Sequence, residues 1–258
     1  MRVAVSSLSF TGPRINKMAQ LPADFGIEIF YEWGSQHYWE NLLEQIMPGR
    51  TGRFSIHSPF GHMDVSTATD EAKLFDQLRT PFDLYHKYNG ECYVVHSCGH
   101  LDFPPDPVRE EECRKQALDR LVRFDDICRR EGVQMVVENL GFNNVERVLF
   151  NQQQFLDLFA QAPQLRCLLD TGHAVLADYD IYEIQNTLKD RLVAYHLHDN
   201  DGTADQHLRL GQGVIDWERF AQGFCSFTPD ACVVMEYNAG EAPDYIQDRE
   251  QLSRLIGL

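Results

Sequence analysis

Histidines and carboxylates stand at one recurring place in this sequence, just after short apolar runs. They are His57 in RFSIHSP, His96 in CYVVHSC, Glu138 in QMVVENL, Asp170 and His173 in RCLLDTGH, His196 and His198 in LVAYHLHD, and Glu236 in CVVMEYN. A carboxylate left alone after three apolar residues forfeits its hydration, so Glu138 and Glu236 each demand a positive partner. That partner is either Lys or Arg or a metal ion, and carboxylates held in this way serve as ligands, as acid/base groups, or as both. Past the turn at 199–202, the stretch YHLHDNDGTADQHLRLGQGVIDW adds Asp205 and His207, a second alternating pair of ligand types. Imidazole nitrogen combined with carboxylate oxygen suits Zn²⁺ or Mn²⁺, with Fe²⁺ and Co²⁺ as further options, better than Ca²⁺.

Structural roles compete at several of these positions. A lone buried histidine is satisfied by a backbone carbonyl, Asp170 is placed to cap a following helix, and Cys98 reads as a small buried thiol before it reads as a soft ligand. Gly211 and Gly213 fit either a close approach to a ligand or a bend ahead of a helix starting near Asp216. Neither a nucleophile elbow with a Ser-His-Asp set nor a Walker loop occurs.

The elements that must position these groups follow from the same runs. Eight of them, at 2–8, 26–32, 53–59, 92–98, 134–140, 166–173, 192–199 and 232–238, alternate with longer polar stretches of helical spacing, such as 70–90 and 108–132. Strands apolar on both faces and separated by helices are what a closed parallel barrel requires. The expectation is a single-domain (β/α)8 TIM barrel over residues 1–258, α/β in class, with the polar strand ends meeting at its C-terminal mouth. An open doubly wound sheet is the rival, but no Gly-rich phosphate loop follows the first strand.

Composition narrows the function. With 43% hydrophobic and 24% charged residues in 258, the chain is neither disordered, collagenous nor a disulfide-dense mini-protein. Its 39 acidic against 23 basic residues give a net charge of -16, which disfavours nucleic acid and anionic membranes as partners. Seven scattered cysteines without a C-x-x-C pair, no signal-like N-terminus and no membrane-length apolar stretch lead to the expectation of a cytoplasmic protein.

The motifs HSP at 57, VVHS at 96, VVENLG at 138, LLDTGHA at 170–173, HLHDNDG from 196, DQHLRLGQGVIDW from 205 and MEYN at 236 resemble, in order and placement, the xylose isomerase-like TIM barrel superfamily. The resemblance is to its sugar phosphate isomerase/epimerase group, with metal motifs also similar to the metal-dependent abasic-site endonucleases. The first likeness implies one divalent metal on Glu138, Asp170, His196 and Glu236. The two glutamates would then double as acid/base catalysts that move a proton through an enediolate of a small sugar, sugar phosphate or polyol. The second implies a polynuclear phosphoester hydrolase, its two or three ions held by His57, His96, Glu138, Asp170, His173, His196, Asp205, His207 and Glu236. A third possibility is a barrel that keeps the pocket as a binding or dehydratase-like module. The expected partner is a small carbohydrate, with Trp33, Phe60 and Trp217, and also Phe10, as aromatic candidates for the pocket wall.

Overall fold

Each apolar run pairs in parallel with the next, and the last closes on the first. The strands are β1 (Arg2–Ser6), β2 (Gly26–Phe30), β3 (Phe54–His57), β4 (Cys92–His96), β5 (Met135–Glu138), β6 (Arg166–Asp170), β7 (Leu192–Leu197) and β8 (Cys232–Met235), joined as a closed barrel. The computed structural model describes residues 1–10, 12–59, 64–99, 101, 103–142, 148–238 and 244–257. Closure runs from Arg2 opposite Cys232 to Val5 opposite Met235. The expected (β/α)8 barrel is therefore the fold of this chain.

Helices follow the strands: α1 (Gln36–Ile46), α2 (Glu71–Arg79), α3 (Phe82–Lys87), α4 (Pro107–Arg130), α5 (Gln152–Gln161), α6 (Thr171–Leu176), α7 (Ile181–Thr187), α8 (Trp217–Phe227) and α9 (Tyr245–Leu255). The periodic stretch 70–90 divides into α2 and α3 at Pro81, which lacks the backbone donor needed to continue the helical hydrogen-bond ladder. Starts are set by side-chain caps. Asp106 accepts from two backbone N–H groups ahead of Pro107, and Asn151 forms a capping box with Gln154. After β1, 3-10 turns at Ser7–Phe10 and Gly12–Gln20 replace a regular helix. Among the described residues, no helix is long and apolar enough to cross a membrane.

Alternation along the strands decides where the chemistry sits. Ala4, Cys92, Val94, Val136, Leu168, Ala194, Cys232 and Val234 pack together as a small cluster inside the barrel, while the opposite phase joins the helices in the main core. Two residues further on in the inner phase come Ser6, His96, Glu138, Asp170, His196 and Glu236. Register aligns them in neighbouring pairs, His96 beside Glu138 and Asp170 beside His196. The apolar plug below closes the barrel to water, so the polar layer opens only toward the mouth.

Candidate metal centre

Glu138 ends β5 with no solvent exposure, and four imidazoles approach its two oxygens. His196 Nδ1 lies 3.0 Å and His173 Nδ1 3.6 Å from Oε1, while His57 Nε2 and His96 Nε2 lie 3.3 and 3.4 Å from Oε2. Among the described residues, no Lys or Arg pairs with Glu138 or Glu236, and histidines are the partners that approach them. Glu236 stands just beyond β8, its N–H donating to the Leu197 carbonyl at 3.1 Å and its carboxylate 3.2 Å from His196 Nδ1.

The ligand-type atoms gather into three groups, each within 4.8 Å internally: Glu138, Asp170, His196 and Glu236; His57, His96 and Glu138; and His173, His198, Asp205 and His207. The nine ligand positions expected from the sequence thus meet at one end of the barrel, with His198 added to the third group. Divalent ions fit these atoms on geometry alone. His57 Nε2 and His96 Nε2 face each other at 3.0 Å across the same Glu138 oxygen, so three lone-pair-bearing atoms converge on one point. Glu138 Oε2 and Asp205 Oδ1 are buried without a hydrogen-bond partner. Tautomers agree: Nδ1 of His57 contacts the Ser58 carbonyl at 3.0 Å, and Nδ1 of His207 contacts the Glu236 carbonyl at 2.8 Å, leaving each Nε2 aimed inward.

Asp170 serves both roles the sequence left open. Its Oδ1 accepts from the His173 N–H at 2.7 Å as the cap of α6, and its carboxylate meets His198 Nε2 at 2.9 and 3.0 Å. A Cβ at Gly172 would lie 2.0 Å from the His198 ring, so only glycine leaves room for that imidazole. The loop beyond β7 hangs on Asp199, which is fully buried and accepts from the N–H groups of Asn200, Gly211 and Ile215 and from Trp217 Nε1. Gly213 packs tightly within this loop, where a Cβ would come 2.1 Å from the Asn200 carbonyl. The bend, not a ligand, accounts for it. His207 takes a left-handed backbone, φ 48°, an uncommon conformation for a non-glycine residue, and its carbonyl accepts from Asn238 N–H at 2.8 Å.

A cavity of 420 Å³ opens above the groups, floored by His57, His96, Glu138, His173, Asp205, His207 and Glu236 and walled by Leu8, Phe30, Cys98, Leu140 and Phe142. Two of the aromatic expectations need correction. Trp217 is turned away by its bond to Asp199, and Trp33 lies 61% exposed; neither lines the cavity. Phe60 lies outside the described residues. Phe10 packs on Tyr245, away from this cavity. Phe30 and Phe142 take the aromatic places instead, and the period-two phase of β2 was the signal for Phe30. Cys98 is a wall thiol that burial pushes up to about 12. Glu28, buried at the level of Ser6 on β1, escaped sequence reasoning because GIEIFYE holds two glutamates and no neighbouring ligand motif.

Charge is balanced within the groups. Burial opposes the anion at Glu138, yet His196, His173 and His57 hold its carboxyl well below the usual range. At Glu236 burial is likewise overcome by His196 and His207, and at Asp205 by His173 and His207. Burial disfavours imidazolium too. Even so, Glu236, Glu138 and Glu28 lift His196 well above its ordinary value, Asp170 and Asp205 lift His173, and Asp205 lifts His207 to about 9. His96 alone is lowered, burial outweighing Glu138. At the imidazoles that are raised, a proton competes with a cation for the same nitrogen, and an entering ion must displace it.

A family model described as xylose isomerase-like TIM barrel matches residues 49–255. An uncharacterized protein, MJ1614 of Methanocaldococcus jannaschii, is 25% identical over 172 residues, covering 65% of this chain and 64% of that protein. A probable endonuclease 4 of Natranaerobius thermophilus is 29% identical over 146 residues, covering 49% of this chain and 51% of that protein. In both cases the match spans less than two-thirds of the relative's length. Among solved structures, a D-tagatose 3-epimerase-like protein superposes with TM-score 0.80 at 20% identity, over 100% of this chain and 97% of that one. The TTHB071 protein of Thermus thermophilus, soaked with ZnCl2, gives 0.75 at 21% over 100% and 98%. The IOLI protein with a binding zinc atom gives 0.77 at 15% over 100% and 98%. At these identities the likeness is one of fold.

Proposed function

Because the chain belongs to the xylose isomerase-like TIM barrel family, matched over residues 49–255, we propose that it is a divalent-metal-dependent isomerase or epimerase of a small sugar, sugar phosphate or polyol. One observation carries the reading. Two buried glutamates on separate strands, Glu138 and Glu236, approach a single nitrogen of His196 at 3.0 and 3.2 Å, and both line the floor of a cavity sized for a small molecule. The solved structures described as a D-tagatose 3-epimerase-like protein, as a protein soaked with ZnCl2 and as a protein with a binding zinc atom support it.

Glu138, Asp170, His196 and Glu236 would hold the ion, which when bound supplies Lewis-acid polarisation of adjacent carbonyl and hydroxyl oxygens. One glutamate would remove the proton from the hydroxyl-bearing carbon next to the carbonyl, and the C–H electron pair would delocalise into that carbonyl. The other glutamate returns a proton, to the opposite face in an epimerase or to the adjacent carbon in an isomerase. Leu8, Phe30, Leu140 and Phe142 would cover the apolar edge of the sugar and exclude water from the exchanging proton. The test is solvent deuterium incorporation across a panel of ketoses and inositol-type ketones. Glu138→Gln and Glu236→Gln should each lower exchange about 10²–10⁴-fold with the circular dichroism spectrum unchanged. Full exchange in both variants would end this reading.

A second reading, a phosphoester hydrolase with two or three ions, is favoured by a specific feature: the first two ligand groups share Glu138, and a complete third group stands beside them. The relative named probable endonuclease 4 supports it. The net charge of -16 directs this reading toward small phosphoesters and away from a DNA duplex. Metal analysis separates the two. One ion per chain with deuterium exchange supports the epimerase, whereas two or three ions with phosphoester turnover and no exchange support the hydrolase.

A further inference from the structure

At the level of Ser6, Glu28 on β2 carries a carboxyl group with no solvent exposure. Neither of its oxygens has a hydrogen-bond partner, nor does His196 Nε2, and the two groups stand 2.8 Å apart. Among the described residues, no Lys or Arg pairs with Glu28. Near it are the thiols of Cys92 and Cys232, which burial pushes up to about 12 and about 11, so they stay neutral and offer it no charge. A carboxyl group buried in such a place is expensive unless a neighbouring group pairs with it.

The adjacent group is His196. Its Nδ1 is committed to Glu138 at 3.0 Å, Glu236 at 3.2 Å and Asp170 at 3.8 Å, so Nε2 is the only nitrogen left to face Glu28. An imidazole whose Nε2 faces a carboxylate in an ion-pair contact favours carrying its proton on that nitrogen, which leaves the Nδ1 lone pair directed at the opposite side and makes it more basic. We propose that Glu28 is a positioning residue for the metal centre: it fixes the tautomer and ring orientation of His196 and raises the affinity of the Glu138–Asp170–His196–Glu236 group for a divalent cation without itself ligating it. This rests on the metal-dependent reading above.

The experiment compares wild type, Glu28→Gln and Glu28→Leu, each stripped with chelator and titrated with Zn²⁺ and Co²⁺ against a chromophoric chelator. The Co²⁺ absorption spectrum and the urea midpoint of the stripped protein are recorded alongside. Gln keeps an acceptor but loses the charge, and Leu loses both. Affinity should therefore fall about 10–100-fold in Glu28→Gln and further in Glu28→Leu. The Co²⁺ bands should shift in Glu28→Leu, while the urea midpoint of stripped Glu28→Gln stays at the wild-type value. Wild-type affinity in Glu28→Gln overturns the inference alone. So does an affinity loss matched by an equal fall in the stripped protein's midpoint, which marks a purely structural role. A wild-type chain that takes up neither ion overturns the metal centre and this inference with it.

Discussion

Removing metal should reverse the sign of the protein's pH–stability relation, and His207 sets the size of the effect. Its imidazole is raised from 6.5 to about 9 by Asp205, against the opposing effect of burial. A group whose folded value is raised binds its proton more tightly in the folded state, so its contribution is fully present below 6.5 and is lost as pH rises through about 9. At about 1.4 kcal/mol per pH unit, that contribution is about 3 kcal/mol. The depressed carboxylates Asp205, Glu138 and Glu236 act at the other end, contributing above their ordinary values of 3.8 to 4.5 and losing that contribution as pH falls toward their lowered folded values. Chelator-treated protein should therefore be most stable at mildly acidic pH. The assay is urea unfolding of stripped wild type and His207→Gln at about pH 6 and about pH 9.5. Wild type should lose about 3 kcal/mol more than the variant across that interval. With Zn²⁺ in excess the slope should turn upward over the neutral range, because each imidazole that sheds its proton becomes available to the ion. Stripped wild type that held its stability at the higher pH as well as His207→Gln does would refute the charge balance described for the third group.

Three further outcomes follow from the same geometry. Gly172→Ala should displace the His198 ring from Asp170 and cost about 3 kcal/mol or more, from overpacking together with a lost charged hydrogen bond; an unchanged urea midpoint would contradict the contact of 2.0 Å. Asp199→Ala orphans four N–H donors and should lower Tm by about 6 °C or more, so calorimetry at the wild-type Tm would show that the loop does not depend on this carboxylate. Chelation of native protein at neutral pH followed by addition of Zn²⁺ should release protons, read with a pH indicator in weak buffer; no release would mean that the imidazoles are not the displaced groups.

Much of this was legible in the residues. The eight strands appear as apolar runs because both faces of a barrel strand are buried, and the ligand positions stand out because Glu138, Asp170, His196 and Glu236 break those runs at their ends. What stayed hidden depended on contacts between distant segments. Glu28 lies within a run rather than at its end, and its value depends on His196, far away in sequence. Trp217 reads as an aromatic near the mouth until Asp199 turns its indole away. His198 shares the phase of His196, but whether it faced the first or the third group was decided by the space at Gly172 and by the stacking of its ring on His207 at 3.9 Å.

The ligands are distributed unevenly between the two halves of the barrel. Among the described residues, the chain from β5 onward contributes Glu138, Asp170, His173, His196, His198, Asp205, His207 and Glu236 to these groups, whereas β1 to β4 contribute His57 and His96. The group formed by His57, His96 and Glu138 is therefore separable from the other two. On the metal-dependent reading proposed above, exchanging two side chains at the tips of β3 and β4 would add or delete a cation site beside Glu138 without changing any other member of the quartet. On that reading, a lineage built on this scaffold has a two-substitution path that changes the number of ions by one and leaves the quartet and the third group in place.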